Sequence, residues 1–179
     1  MIFRVLPLLL VTLALSSLAL ATTYRELSLD EMLAATEVAF YGQVADVTVE
    51  DRDGEPWTVV TFEVLEPLLG VEDRLDEDGV SLALAFYGGT LPSGETVTVS
   101  LMPQFAVGEL ALILAYDGDY YSPIVGFRQG LWRDSTLGLR DETDRLLGFD
   151  EEDELLLDSV GGDTDTIIGS LRAALEARP

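Results

Sequence analysis

Val38-Ala39-Phe40-Tyr41-Gly42-Gln43-Val44-Ala45-Asp46-Val47-Thr48-Val49, then Asp51-Arg52-Asp53-Gly54-Glu55-Pro56, then Trp57-Thr58-Val59-Val60-Thr61-Phe62-Glu63-Val64-Leu65, is the stretch that decides the fold. Its period is two. Val38, Phe40, Gly42 and Val44 share one side of an extended chain, while Tyr41, Gln43, Ala45, Val47 and Val49 alternate with them. Gly42 interrupts the pattern and predicts a bulge or tight bend. Asp53-Gly54 is the hairpin signal, and the second strand, from Trp57, places Thr58, Val60, Phe62 and Val64 on one face.

Upstream, Ser28-Leu29-Asp30-Glu31 is a capping box that opens a short helix ending near Thr36, with Leu27 and Met32 as its staple. Downstream, Val80–Tyr87 reads as a strand closing at Gly88-Gly89. Leu91-Pro92-Ser93-Gly94 turns into an alternating run over 96–101. Leu110–Tyr116 is the most apolar strand and is expected at the centre of a sheet. Asp117-Gly118-Asp119 turns into a strand over 120–125, and 127–133 is a further edge segment. Closely spaced strands with turn signals between them predict a small antiparallel barrel or sandwich.

The chain has 179 residues, suited to one domain. Met1–Ala21 carries one cation, Arg4, an apolar run and an Ala19-Leu20-Ala21 end, the pattern of an export signal cleaved before Thr22. The expected division is a signal peptide at 1–21, a β domain at 22–134, and an acidic connection with a C-terminal helix at 135–179. In that last part, Ile167, Ile168, Leu171 and Leu175 recur at helical spacing. The mature chain would be periplasmic or extracellular, with no membrane attachment after cleavage.

Ten cations face 33 acids, a net charge of −23, and every cation is Arg. Removing 1–21 leaves nine Arg and a net −24. Lys, His and Cys are absent. No serine or cysteine nucleophile with a histidine base, no Schiff-base lysine and no imidazole or thiolate zinc site can be built. So acidic a chain repels phosphate backbones, which excludes nucleic acid as a partner and disfavours anionic membranes. A hydrophobic fraction of 48% supplies a core, so the acidity belongs to a folded protein.

Four segments resemble a known family: Ala35-Thr36-Glu37-Val38-Ala39-Phe40-Tyr41-Gly42-Gln43-Val44, Phe62-Glu63-Val64-Leu65-Glu66-Pro67-Leu68-Leu69-Gly70, Pro103-Gln104-Phe105-Ala106-Val107-Gly108-Glu109, and Val125-Gly126-Phe127-Arg128-Gln129-Gly130, with Gly88-Gly89 between the second and third. They resemble small exported bacterial proteins with an OB-like β-barrel, similar to the netrin-like modules of tissue inhibitors of metalloproteases. The likeness covers roughly residues 28–133 and implies a barrel with no established activity. Leu69 stands where such proteins often carry a lysine. The disulfide-tethered N-terminus by which true metalloprotease inhibitors reach zinc is absent.

Carboxylate pairs are the remaining catalytic chemistry, and a glycosidase-like pair needs about 5–10 Å separation in a cleft. With 33 acids such pairs arise by chance, and none lies in an apolar stretch. Asp51-Arg52-Asp53-Gly54-Glu55, Asp76-Glu77-Asp78-Gly79 and Asp163-Thr164-Asp165 offer hard oxygens for weak divalent-cation binding. None completes an EF-hand loop, and solvated turns are the expectation. Arg128, Arg133, Arg140 and Arg145 form an anion-site candidate among Asp134, Asp141, Glu142 and Asp144, where local ion pairs are expected. Tyr87, Tyr116, Tyr120, Tyr121, Phe127 and Trp132 are the candidate binding surface, against a background of core and edge packing. The expected function is a secreted, acidic, non-enzymatic binding module, with no cofactor, engaging an exported protein such as a protease. A carboxylate hydrolase and a calcium-binding module are the alternatives.

Overall fold

The structure is a computed structural model that describes residues 25–150, 154–159 and 161–178. The expected signal peptide lies outside the described residues. The protein is mainly β. Helix α1 (Leu29–Ala35) leads into strands β1 (Val38–Arg52), β2 (Glu55–Leu69), β3 (Ser81–Tyr87), β4 (Gly89–Thr90), β5 (Thr96–Val97), β6 (Leu110–Ala115), β7 (Leu131–Ser135), β8 (Gly138–Arg140), β9 (Leu147–Phe149) and β10 (Leu155–Leu157), followed by helix α2 (Thr164–Glu176).

α1 begins as expected. The Ser28 hydroxyl accepts from the Glu31 amide at 3.2 Å, and the Glu31 carboxylate accepts from the Ser28 amide at 3.0 Å. The β1–β2 hairpin turns at Asp53-Gly54, with Arg52 opposite Glu55 and Gly54 N–H donating to the Asp51 carboxylate at 2.7 Å. Three register shifts bend this long hairpin, one of them between Tyr41 and Gly42. A Cβ on Gly42 would lie 2.6 Å from the Glu63 carbonyl oxygen, so the close approach of the two strands requires glycine. Gly70, which turns the chain out of β2, has φ +60°.

The main sheet is antiparallel, in the order β3-β2-β1-β6-β7-β8, with β1 and β6 at its centre. β3 and β8 are its two edges and do not pair with each other, so the sheet is open and a closed barrel is not formed among the described residues.

Both faces are covered. Phe40, Val60, Phe62, Leu84 and Phe86 with Ala111, Ile113 and Leu131 form the core of one face, against which Met102 and Phe105 pack. Leu112, Leu114, Tyr41 and Trp132 point the other way, onto Met32 and Leu33 of α1 and onto Ile167, Ile168, Leu171 and Leu175 of α2. A central strand buried on both faces reads as a continuous apolar run, which β6 is.

Three predicted elements differ. Residues 120–125 form no strand; only an Ala115–Ile124 bridge remains, because Gly118 turns at φ +149° and Pro123 has no N–H to donate. The strand expected at 127–133 starts only at Leu131, after a turn in which Gly126 and Phe127 take φ +61° and +69°. The run at 96–101 keeps two paired residues before Leu101, at φ +65°, and Pro103 end it.

The expected acidic connection carries β8, β9 and β10. β8 extends the main sheet, and the buried Leu139 and Leu147 join the helix-side core. Strands of three residues are too short for period-two reading. α2 is capped by Asp163, whose carboxylate accepts from the Thr166 amide at 3.1 Å. Its far end is tied to α1, because one nitrogen of Arg178 donates to the Leu33 and Thr36 carbonyls at 2.6 and 2.7 Å. Among the described residues no helix is long and apolar enough to cross a membrane.

Candidate binding surface

The antiparallel register of β2 and β3 sets Trp57, the third residue of β2, beside the end of β3. There its indole meets Tyr87 edge-on, with ring centroids 5.3 Å apart at 67°. The loop after β6 brings Tyr121 to the same place, because the Tyr121 carbonyl accepts from the Tyr87 amide at 2.8 Å. Tyr121 lies 4.7 Å from Tyr87 and stacks on Trp57 at 6.2 Å and 27°. The hairpin returns Arg52 over the Trp57 ring, its guanidinium carbon 5.4 Å from the centroid. Tyr121 remains 63% exposed. Burial among the rings, the Glu55 carboxylate and Tyr121 together raise the Tyr87 phenol above its ordinary value, so it stays a neutral donor.

A second aromatic pair stands on the same loop. Tyr116 and Tyr120 have centroids 4.9 Å apart, and Tyr120 is 47% exposed. With Trp57, Arg52, Arg74 and the Ala83–Ala85 stretch of β3 they border a cavity of about 500 Å³.

Four of the six aromatics chosen from the sequence therefore gather at one end of the sheet. The other two do not. Phe127 is half-buried in a turn, where its carbonyl accepts from the Ser122 hydroxyl. Trp132 is fully buried in the helix-side core with no partner for its indole N–H among the described residues, so it offers no binding surface. Trp57 and Arg52 were missed; continuing the Asp53-Gly54 hairpin, which pairs Arg52 with Glu55, would have placed both at the strand end.

Arg133, Arg140 and Arg145 of the arginine group form ion pairs. Arg133 bonds Glu109 and Glu142, Arg140 lies 3.7 Å from Asp144, and Arg145 bridges Asp141 at 2.7 Å and Glu26. Burial pushes the Asp141 carboxyl up, but hydrogen bonds from Thr143 and Arg145 outweigh it and hold the group below its usual range. That is opposite to what a general acid needs.

The acidic turns use their carboxylates internally. Asp51 closes the hairpin, Asp78 accepts from the Val80 and Ser81 amides and the Ser81 hydroxyl, and Asp163 caps α2. Among the described residues no group of three or more acids is placed to hold a metal ion.

No protein-family model matches the chain, and no curated protein matches it.

Proposed function

We propose that this protein is exported and acts as a non-enzymatic binding module, using the Trp57, Tyr87 and Tyr121 rings to engage a basic face of another exported protein, for example a protease. The observation that carries this reading is the three-ring cluster, open to solvent through Tyr121 and positioned by two strand ends and a loop. Tryptophan and tyrosine anchor protein interfaces because they offer large rigid area together with a polar tip. The mature charge of −24 steers a cationic partner toward the surface and repels an anionic one. The scaffold in this reading is OB-like, a sheet curled by the bulged β1–β2 hairpin and completed by loops.

The test begins with the mature protein immobilised against the exported fraction of its own cells. The captured protein is then identified, purified and rebound. Trp57→Ala and Tyr121→Ala should each weaken rebinding at least tenfold, whereas Leu137→Ala, at an exposed leucine elsewhere, should not. Equal binding by all three variants would remove the aromatic cluster as the contact. Mass spectrometry of the exported protein should find Thr22 first, and a retained Met1 would contradict cleavage.

A further inference from the structure

The β2–β3 ladder has a phase. Val64 N–H donates to the Val80 carbonyl at 2.9 Å and Gly88 N–H to the Pro56 carbonyl at 2.8 Å. Bonded pairs recur every second residue in an antiparallel ladder, so Leu82, Leu84 and Phe86 bond β2, while the backbone groups of Ser81, Ala83, Ala85 and Tyr87 face outward. At the two ends both groups of Ser81 and the N–H of Tyr87 are occupied. Ser81 donates to the Asp78 carboxylate and accepts from the Asp76 amide, and Tyr87 donates to Tyr121. The N–H and C=O of Ala83 and of Ala85 have no partner among the described residues.

An open edge of this kind is ordinarily blunted by charge, proline, a bulge or short length. The opposite edge, β8, is three residues long and carries Arg140. β3 is seven residues long, Ser-Leu-Ala-Leu-Ala-Phe-Tyr, with no charge and no proline. The small Ala83 and Ala85 side chains leave the edge unobstructed. Ala83, Leu84 and Ala85 all border the 500 Å³ cavity. A cavity lying on one face of a strand would touch alternate residues, so three in succession place it along the edge.

We propose that β3 accepts an extended, cationic segment of a partner protein as an added antiparallel or parallel strand, bonded through Ala83 and Ala85. This rests on the binding-module reading and specifies its mode, with main-chain hydrogen bonds supplying affinity and the flanking Tyr116 and Tyr120 gripping side chains. Charge selects the occupant. Arg52 and Arg74 already have Glu50 and Asp117 as partners, and Asp53, Glu55 and Asp119 make the cavity wall net negative. A second copy of the mature chain would bring another −24 to the same edge.

The probe is an eight-residue peptide of alternating lysine and valine, compared with the same peptide N-methylated at every inner residue. In the free protein the Ala83 and Ala85 amide protons should exchange rapidly with solvent. The unmethylated peptide should slow both at least tenfold and bind at least tenfold tighter than the methylated one. Ala83→Pro should weaken binding similarly. The Ala83 N–H lies outside the ladder, so this variant is expected to fold, and its melting temperature checks that.

Absence of protection at both alanines up to millimolar peptide overturns strand addition, as does equal binding of the methylated peptide. If the purified partner still depends on Trp57 and Tyr121 while Ala83→Pro binds it normally, the strand mode fails and the aromatic module stands. Dimerisation in 1 M NaCl that protects both alanines without peptide would overturn the proposal in favour of a second copy.

Discussion

Asp141 is a carboxylate whose whole acceptor capacity is used. One oxygen accepts from the Thr143 amide and hydroxyl and the Arg145 amide, and the other from the Arg145 side chain at 2.8 Å. Its folded pKa lies below the unfolded one. Its stabilisation is therefore complete above the unfolded value of about 3.9 and is lost as pH falls through the lower folded value. Asp141→Ala should destabilise by about 2 kcal/mol at pH 7, and chemical denaturation at stepped pH should show the gap to wild type closing below about pH 4. A gap independent of pH would assign the loss to packing. Trp132 presents a different balance. Truncation to Phe loses apolar area but also removes a buried N–H that has no acceptor among the described residues, a group whose burial costs about 1–3 kcal/mol. Trp132→Phe should accordingly lower stability by no more than about 1 kcal/mol, measured by urea titration.

At the scale of elements, β6 has two faces and two different debts to its neighbours. Leu112 is fully buried against the helices, so Leu112→Ala should cost about 2–5 kcal/mol. A loss under about 0.5 kcal/mol would mean that this face is solvated. Arg178 ties α2 to the last carbonyls of α1, and Arg178→Ala should free both helix ends, seen as faster amide exchange in the last turn of α2 with little change in the sheet. The elements legible in the sequence were those with local signals: the Ser28 capping box, the Asp53-Gly54 turn, the apolar run of β6. Phe40, Val60, Phe62 and Leu84 are buried in one core as alternation implies, whereas Leu112 and Leu114 face the helices. Period two separates the faces of a strand without saying which face meets which neighbour. The aromatic cluster was legible only in part because Trp57, Tyr87 and Tyr121 meet through register and one loop contact, neither of which has a local signature.

For the whole molecule, charge dominates. The net −24 of the mature chain implies self-repulsion that salt screens over roughly 10 Å at 0.1 M and about 3 Å at 1 M. The melting temperature should rise with NaCl. At matched ionic strength CaCl₂ should raise it by a similar amount, since the carboxylates of Asp51, Asp78 and Asp163 are engaged in turns and a cap. A much larger rise with calcium would show a bound metal adding its own linkage to folding.

The two tryptophans occupy opposite environments, and this makes the protein its own optical instrument. Trp132, sealed in the helix-side core, emits as an indole in hydrocarbon does and moves to longer wavelength only when that core opens to water. Trp57, beneath an arginine and against two tyrosines at the candidate binding surface, changes intensity when a ligand displaces those neighbours. Trp132→Phe leaves a fluorophore at the binding surface. Trp57→Phe leaves one for the opening of the helix-side core, so the two single-tryptophan variants follow the two equilibria without an added dye.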